Sequence, residues 1–182
     1  FIQNTDFLAS SGDIIINGGA NGIRVASSGS RIGSRPSTSI TSSSSNIKWI
    51  TNSIDFYTLS SGFTNSFSTS GTVTIEPFGN SFSSAISFPN TNIILANTIS
   101  GYIFGKTTNT ANVNIASATS IAGPITIYGG TIAINQNISS SSNSDILLSA
   151  NALTFATGKT VSSSGNLFLQ PQSAATTIGI AG

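Results

Sequence analysis

Between Pro124 and Leu169 a short pattern returns at a fixed step. Pro124-Ile125-Thr126-Ile127, Asp145-Ile146-Leu147-Leu148 and Asn166-Leu167-Phe168-Leu169 align so that Ile127, Leu148 and Leu169 recur at a constant step of 21. A second register, Thr131-Ile132-Ala133-Ile134 over Ala152-Leu153-Thr154-Phe155, repeats at the same step. Within each copy apolar residues alternate with small or polar ones, the period of a half-buried strand. A strand this short cannot bury its inner face alone, so the repeat requires that successive copies stack. Stacking places Ile125, Ile146 and Leu167 in one column and Ile127, Leu148 and Leu169 in another, at about 4.8 Å per step. The pattern predicts an all-β chain, a parallel β-helix (β-solenoid) with three short strands and about 20–21 residues per rung. At that step the 182 residues give about eight or nine rungs, with the aliphatic columns pointing inward.

The rest of the chain extends the pattern into one segment spanning 1–182. Val73 and Ile75, Ile93 and Leu95, and Val113 and Ile115 recur at a step of 20 and lead into Ile132 and Ile134 after a step of 19, which predicts one column continuing through Leu153 and Phe155. A coarser repeat joins Gly71-Thr72-Val73-Thr74-Ile75-Glu76-Pro77 to Gly165-Asn166-Leu167-Phe168-Leu169-Gln170-Pro171, at an offset of 94. Near the start, Ser11-Gly12-Asp13-Ile14-Ile15-Ile16 matches Asn143-Ser144-Asp145-Ile146-Leu147-Leu148, so rungs are expected from the first residues onward. Residues 27–46, rich in Ser with Arg31, Arg35 and Pro36, read as an irregular excursion. Gly79-Asn80, Pro89-Asn90, Gly105-Lys106 and Gly129-Gly130 read as turns between strands. Trp49, the single tryptophan, reads as core or loop-capping.

Composition separates this chain from disorder and from several functions. Ser, Thr and Asn supply 75 of 182 residues and charged residues only 6%, but 38% are hydrophobic and fall in repeated alternating runs. A net charge of +1 with scattered basic residues leaves no electrostatic footprint for nucleic acid. No run reaches the roughly 20 apolar residues of a membrane helix, and no secretion leader opens the chain. The missing initiator Met suggests a processed or excised piece. Cysteine is absent, which removes disulfides and thiolate metal sites.

The run Ile103 to Ile115, followed by Ala122-Gly123-Pro124-Ile125-Thr126-Ile127-Tyr128-Gly129-Gly130 and Ser144-Asp145-Ile146-Leu147-Leu148, resembles the repeat regions of large bacterial filamentous-haemagglutinin-type adhesins, over roughly residues 71–182. That resemblance implies a right-handed parallel β-helix in an exported, very long surface protein, with an extracellular or bacterial cell-surface location. The expected function is a non-enzymatic stiff spacer, filament or attachment surface. Self-association end to end or laterally is the expected partnership, with surface glycans or neighbouring cells beside it.

Three alternatives have different sequence requirements. A polysaccharide-lyase-like β-helix needs clustered carboxylates. This chain has Asp6, Asp13, Asp55, Glu76 and Asp145 alone, and Asp13 and Asp145 read as turn residues placed alike before a strand. An ice-binding solenoid needs a persistent threonine ladder, but Thr72 and Thr74 give way, one step of 20 later, to Asn92 and Ile94. A membrane barrel needs strands of about 9 to 11 residues. No catalytic, metal or cofactor residue is assigned and no cofactor is expected. Tyr57, Tyr102 and Tyr128 are candidates for stacking on sugars, Tyr128 foremost, and the serines at 42–45 and 139–142 read as solvated loops that could accept glycans.

Overall fold

A computed structural model describes residues 2–3, 6–27, 39–42, 44–58, 65–91, 93–175 and 177. Its regular structure is strand throughout, with no helix among these residues, and every pairing between their strands is parallel. The first rung runs through β1 (Ile2–Gln3), β2 (Asp6–Ala9) and β3 (Ile14–Gly19). The second holds β4 (Ile23–Ser27), β5 (Ser39–Ser42) and β6 (Ile47–Thr51), and the third β7 (Ile54–Thr58), β8 (Asn65–Ser68) and β9 (Thr72–Glu76). The fourth holds β10 (Ile86–Ser87), β11 (Ile93–Leu95) and β12 (Gly101–Phe104). Beyond it come β13 (Val113–Ile115), β14 (Thr119–Ile121), the long β15 (Ile125–Ile134), β16 (Ile138–Ser140), the long β17 (Ile146–Phe155), β18 (Val161–Ser162) and β19 (Leu167–Gln170).

One ladder runs the length of this stack. Ile14, Ile47, Val73, Tyr102, Ile125, Ile146 and Leu167 lie in register, and so do Ile16, Trp49, Ile75, Phe104, Ile127, Leu148 and Leu169. From Ile47 to Ile146 the first column is at most 1% exposed, as the alternation requires. Ile127, Leu148 and Leu169 form the expected column, and Ile132 and Ile134 lie over Leu153 and Phe155. The two similar segments at Gly71 and Gly165 both enter this ladder, through β9 and β19.

The rung length is not constant, and this corrects two expectations. Along the first column the sequence step is 33, then 26, 29 and 23, and then 21 twice. Among the described residues the ladder therefore holds seven strand positions rather than eight or nine. The predicted column Val73–Ile93–Val113 also fails: Val73 pairs with Ile47 and Tyr102, Ile93 with Asn65 in a different sheet, and Val113 with Ile86 and Ile132. Where one full turn of the coil takes a step of 26 or 29, a step of 20 connects different faces.

Side-chain size follows rung length. The longer middle rungs are filled by aromatics: Trp49 lies 4.9 Å from Phe67, and Phe104 stacks on Phe82 at 5.2 Å and on Phe88 at 5.3 Å. The shorter C-terminal rungs are filled by aliphatic side chains, Ile, Leu and Val with the small Ala150. Each fully buried side chain of this size contributes about 1.5 to 3 kcal/mol of transfer free energy, so the columns dominate cohesion. The surface ion pairs Arg24–Asp55 (2.9 Å) and Lys48–Glu76 (3.0 Å) add at most about 1 kcal/mol each.

Of the Ser-rich stretch 27–46, residues 28–38 and 43 lie outside the described part, and Ser39–Ser42 is a ladder strand between β2 and β8. Gly129-Gly130 is no loop. It lies inside β15, where an added Cβ would stand 2.3 Å from Thr110 O at Gly130, so the bare backbone lets the strand pass the preceding turn.

Candidate functional site

Asp13 and Asp145, the carboxylates singled out above, stand far apart along the stack and do the same job. Each precedes a strand and accepts the backbone N–H of its register partner in the next rung: Asn46 N–H to Asp13 Oδ1 at 2.9 Å, and Asn166 N–H to Asp145 Oδ1 at 2.6 Å. Asn46 continues the device, its Oδ1 accepting Thr72 N–H at 2.9 Å, and Thr72, Gly101 and Pro124 then interrupt the column. Elsewhere Asn112 accepts from Thr131, Asn137 from Thr160 and Asn151 from Ser173. At a corner the ladder would leave these amides unpaired, and a short Asx side chain one strand-spacing below meets them. Sequence reasoning explained Asp13 and Asp145 as turn formers and missed the cross-rung role. The signal was there in the recurring pairs Asp13-Ile14, Asn46-Ile47, Asn112-Val113, Asn137-Ile138, Asp145-Ile146 and Asn166-Leu167.

Asn109 is a second residue that sequence reasoning passed over. Its side chain is fully buried; Oδ1 accepts Ser81 Oγ (3.0 Å), Phe82 N–H (3.2 Å) and Ala111 N–H (3.3 Å), and Nδ2 donates to Tyr128 O (2.8 Å). One amide thus ties the turn at 105–111 to the rung below and the rung above. Gln172 Nε2, near the last strand, also donates to the carbonyls of Thr107 and Asn109. Asn109→Ala would leave buried backbone groups without partners, each at about 1 to 3 kcal/mol. The expected result is a loss of about 3 kcal/mol in urea denaturation, with hydrogen exchange accelerated first at Phe82 and Ala111.

The tyrosines part ways. Tyr102 is 1% exposed, packed within 6.4 Å of Phe104, and therefore unavailable to a sugar. Tyr128 is half-buried, its carbonyl held by Asn109. The backbone of Tyr57 pairs with Ala26, and its side chain lies outside the described part. The Tyr102 hydroxyl has no hydrogen-bond partner, and burial pushes its pKa well above the ordinary 10.0. Above pH 10 the unfolded chain therefore loses this proton while the folded chain keeps it, so stability falls as pH rises through that range. Tyr102→Phe is expected to raise stability by about 1 kcal/mol at neutral pH and to flatten the alkaline decline, both read from melts between pH 7 and 11.

The serines at 139–142 are also less solvated than expected. Ser139 and Ser140 belong to β16, and Ser140 is buried with its hydroxyl donating to Ser144 O at 2.7 Å. Ser142 and Asn143 make the turn, at φ of 59° and 56°.

On the outer face of the main ladder, Ile15, Lys48, Thr74, Ile103, Thr126, Leu147 and Phe168 form one registered column. Ile15 and Phe168 at its two ends are 61% and 48% exposed, which makes the ends more apolar to solvent than the middle. Among the described residues no three His, Cys, Asp or Glu side chains come together, and no helix is long and apolar enough to cross a membrane. Comparison with protein families, curated proteins and solved structures finds no match to this chain.

Proposed function

We propose that this chain is a right-handed parallel β-helix segment that serves as a stiff, non-enzymatic spacer and attachment surface in an extracellular or bacterial cell-surface protein of the filamentous-haemagglutinin type. The observation that supports this most is the unbroken ladder from Ile14 to Leu167, seven side chains in one inward column. A column of that kind sets a fixed reach, about 29 Å over six steps of about 4.8 Å, and its aliphatic and aromatic contents resist bending because the interior is close-packed. The resemblance of residues 71–182 to adhesin repeats supports the location and the non-enzymatic role.

Spin labels at Ile15→Cys and Phe168→Cys, both outward and exposed, test the spacer directly. A narrow distance distribution centred at about 30 Å, the reach of six strand spacings, is expected. A broad one rejects a stiff rod. The lyase-like alternative is tested separately, by calorimetry with calcium and by reducing-end release from acidic polysaccharides. Tight calcium binding or release of reducing ends would displace the spacer reading.

A further inference from the structure

We propose that Asn137 is a modification site, the acceptor of an N-linked sugar. Asn137-Ile138-Ser139 is an Asn-x-Ser triplet, and no other asparagine of the chain has a serine or threonine two residues on. Such a triplet is a frequent pattern on its own. What singles this one out is where the fold puts it and which of its atoms the fold leaves unused.

The position is an inner one. β16 lies between β14 and β18, with Ile138 paired to Thr119 on one side and Val161 on the other, so the exposure of Asn137 does not depend on what adjoins either end of the stack. Asn137 is one of the corner residues described above. Its Oδ1 accepts the N–H of Thr160 at 3.1 Å, which fixes the amide, while among the described residues its Nδ2 has no hydrogen-bond partner. Residues two apart in an extended strand share a face, so the Ser139 hydroxyl stands on the same outer face as that nitrogen. The surroundings are small. Ser120, Ser139 and Ser162 form the outward column beside Asn137, and Ala118 and Thr160, which precede the paired strands, are both exposed. The two long side chains nearby, Gln136 and Lys159, hold each other at 3.2 Å. A sugar on Nδ2 would therefore stand clear of the sheet.

The co-substrate is a glycosyl diphosphate, transferred by a glycosyltransferase. An amide nitrogen is a weak nucleophile because its electron pair is shared with the carbonyl, so the anomeric carbon must carry a good leaving group. Nδ2 forms the new N–C bond as the C–O bond to the diphosphate breaks; the diphosphate leaves with that electron pair, and one Nδ2 proton passes to solvent. The product keeps Oδ1 as an acceptor, so the bond to Thr160 and the corner it holds survive the modification. The inference needs only this local geometry and stands apart from the spacer reading. Asn112 is the internal comparison: it is exposed at an equivalent corner, its Oδ1 accepts Thr131 N–H at 3.0 Å, but Asn114 stands two residues on in place of a hydroxyl.

Peptide mapping by tandem mass spectrometry, on the chain isolated from the cells that make it, tests the proposal. The expected result is a sugar mass on the peptide carrying Asn137 and none on the peptide carrying Asn112. An increment of one hexose identifies a nucleoside diphosphate sugar as the donor, and a fixed block of several sugars identifies a lipid diphosphate. Expressed in the same cells, Ser139→Ala should lower occupancy at least about tenfold, although Asn137 and its bond to Thr160 remain in place. Ser139→Thr should retain the sugar, and Asn114→Ser, which completes the same triplet at Asn112, should bring a second sugar there. Melts of the variants that match the parent chain show that the fold is kept. An unmodified Asn137, or occupancy indifferent to Ser139→Ala, overturns the proposal.

Discussion

Ile146→Asp is expected to unfold the C-terminal rungs. Ile146 is 0% exposed, lies in register between Ile125 below and Leu167 above, and belongs to the column on which the short C-terminal rungs depend. The substitution removes a buried aliphatic side chain, worth about 2 to 5 kcal/mol on its own scale, and puts a carboxylate between the aliphatic side chains of Ile125 and Leu167. The carboxyl would take up a proton rather than remain charged, at a further cost. A loss of at least about 4 kcal/mol is expected, measured as a lower urea midpoint together with proteolysis confined first to residues beyond Ala122. An unchanged midpoint would remove Ile146 from the interior and the column with it.

Gly123→Ala should be nearly as damaging for a different reason. A Cβ at Gly123 would lie 1.8 Å from Ser100 O and 2.0 Å from Ser100 C, and both are backbone of the rung below. The Gly123 N–H donates to Ile99 O at 3.1 Å, so the corner is already drawn in close. One methyl group must force two rungs apart, at about 3 kcal/mol. Gly79→Ala is the contrast: its nearest neighbours would be 3.5 Å away on the Asn52 side chain, an ordinary contact, and its melt should scarcely move. Equal melts for the two variants would contradict the close approach at Gly123.

What the sequence revealed depended on rung length. From Ile125 onward the step is a uniform 21, so Ile127, Leu148 and Leu169 could be aligned by counting, and the structure stacks them. Earlier, Ile47, Val73 and Tyr102 follow one another at unequal steps, 26 and then 29, and change from aliphatic to aromatic within one column. Neither a period nor a residue type marks them as neighbours. Tyr102 misled further, because a tyrosine in a polar-rich chain reads as exposed, while the wide rung around it needed a large side chain to fill the interior. Asn109 was illegible for another reason: its partners Ser81 and Tyr128 lie in other rungs, and nothing local distinguishes it from other turn asparagines. The Asx column could have been read, since the residue before an inward aliphatic is Asp or Asn six times over.

The direction of the ladder bonds has a mechanical consequence. Neighbouring rungs are joined by bonds that point along the long axis, as in Ile125 N–H to Asp145 O and Ile146 N–H to Asn166 O. Tension applied between the two ends meets those bonds one rung at a time, so the terminal strand peels before its neighbour carries load. A sideways pull along the strands loads all the bonds of a rung together. The segment is thus anisotropic: firm against bending and compression, yielding under stretch. Each short rung that peels from the β19 end exchanges one step of about 4.8 Å for roughly 70 Å of slack chain. A chain built from such rungs would lengthen under a sudden load and rewind when the load is released.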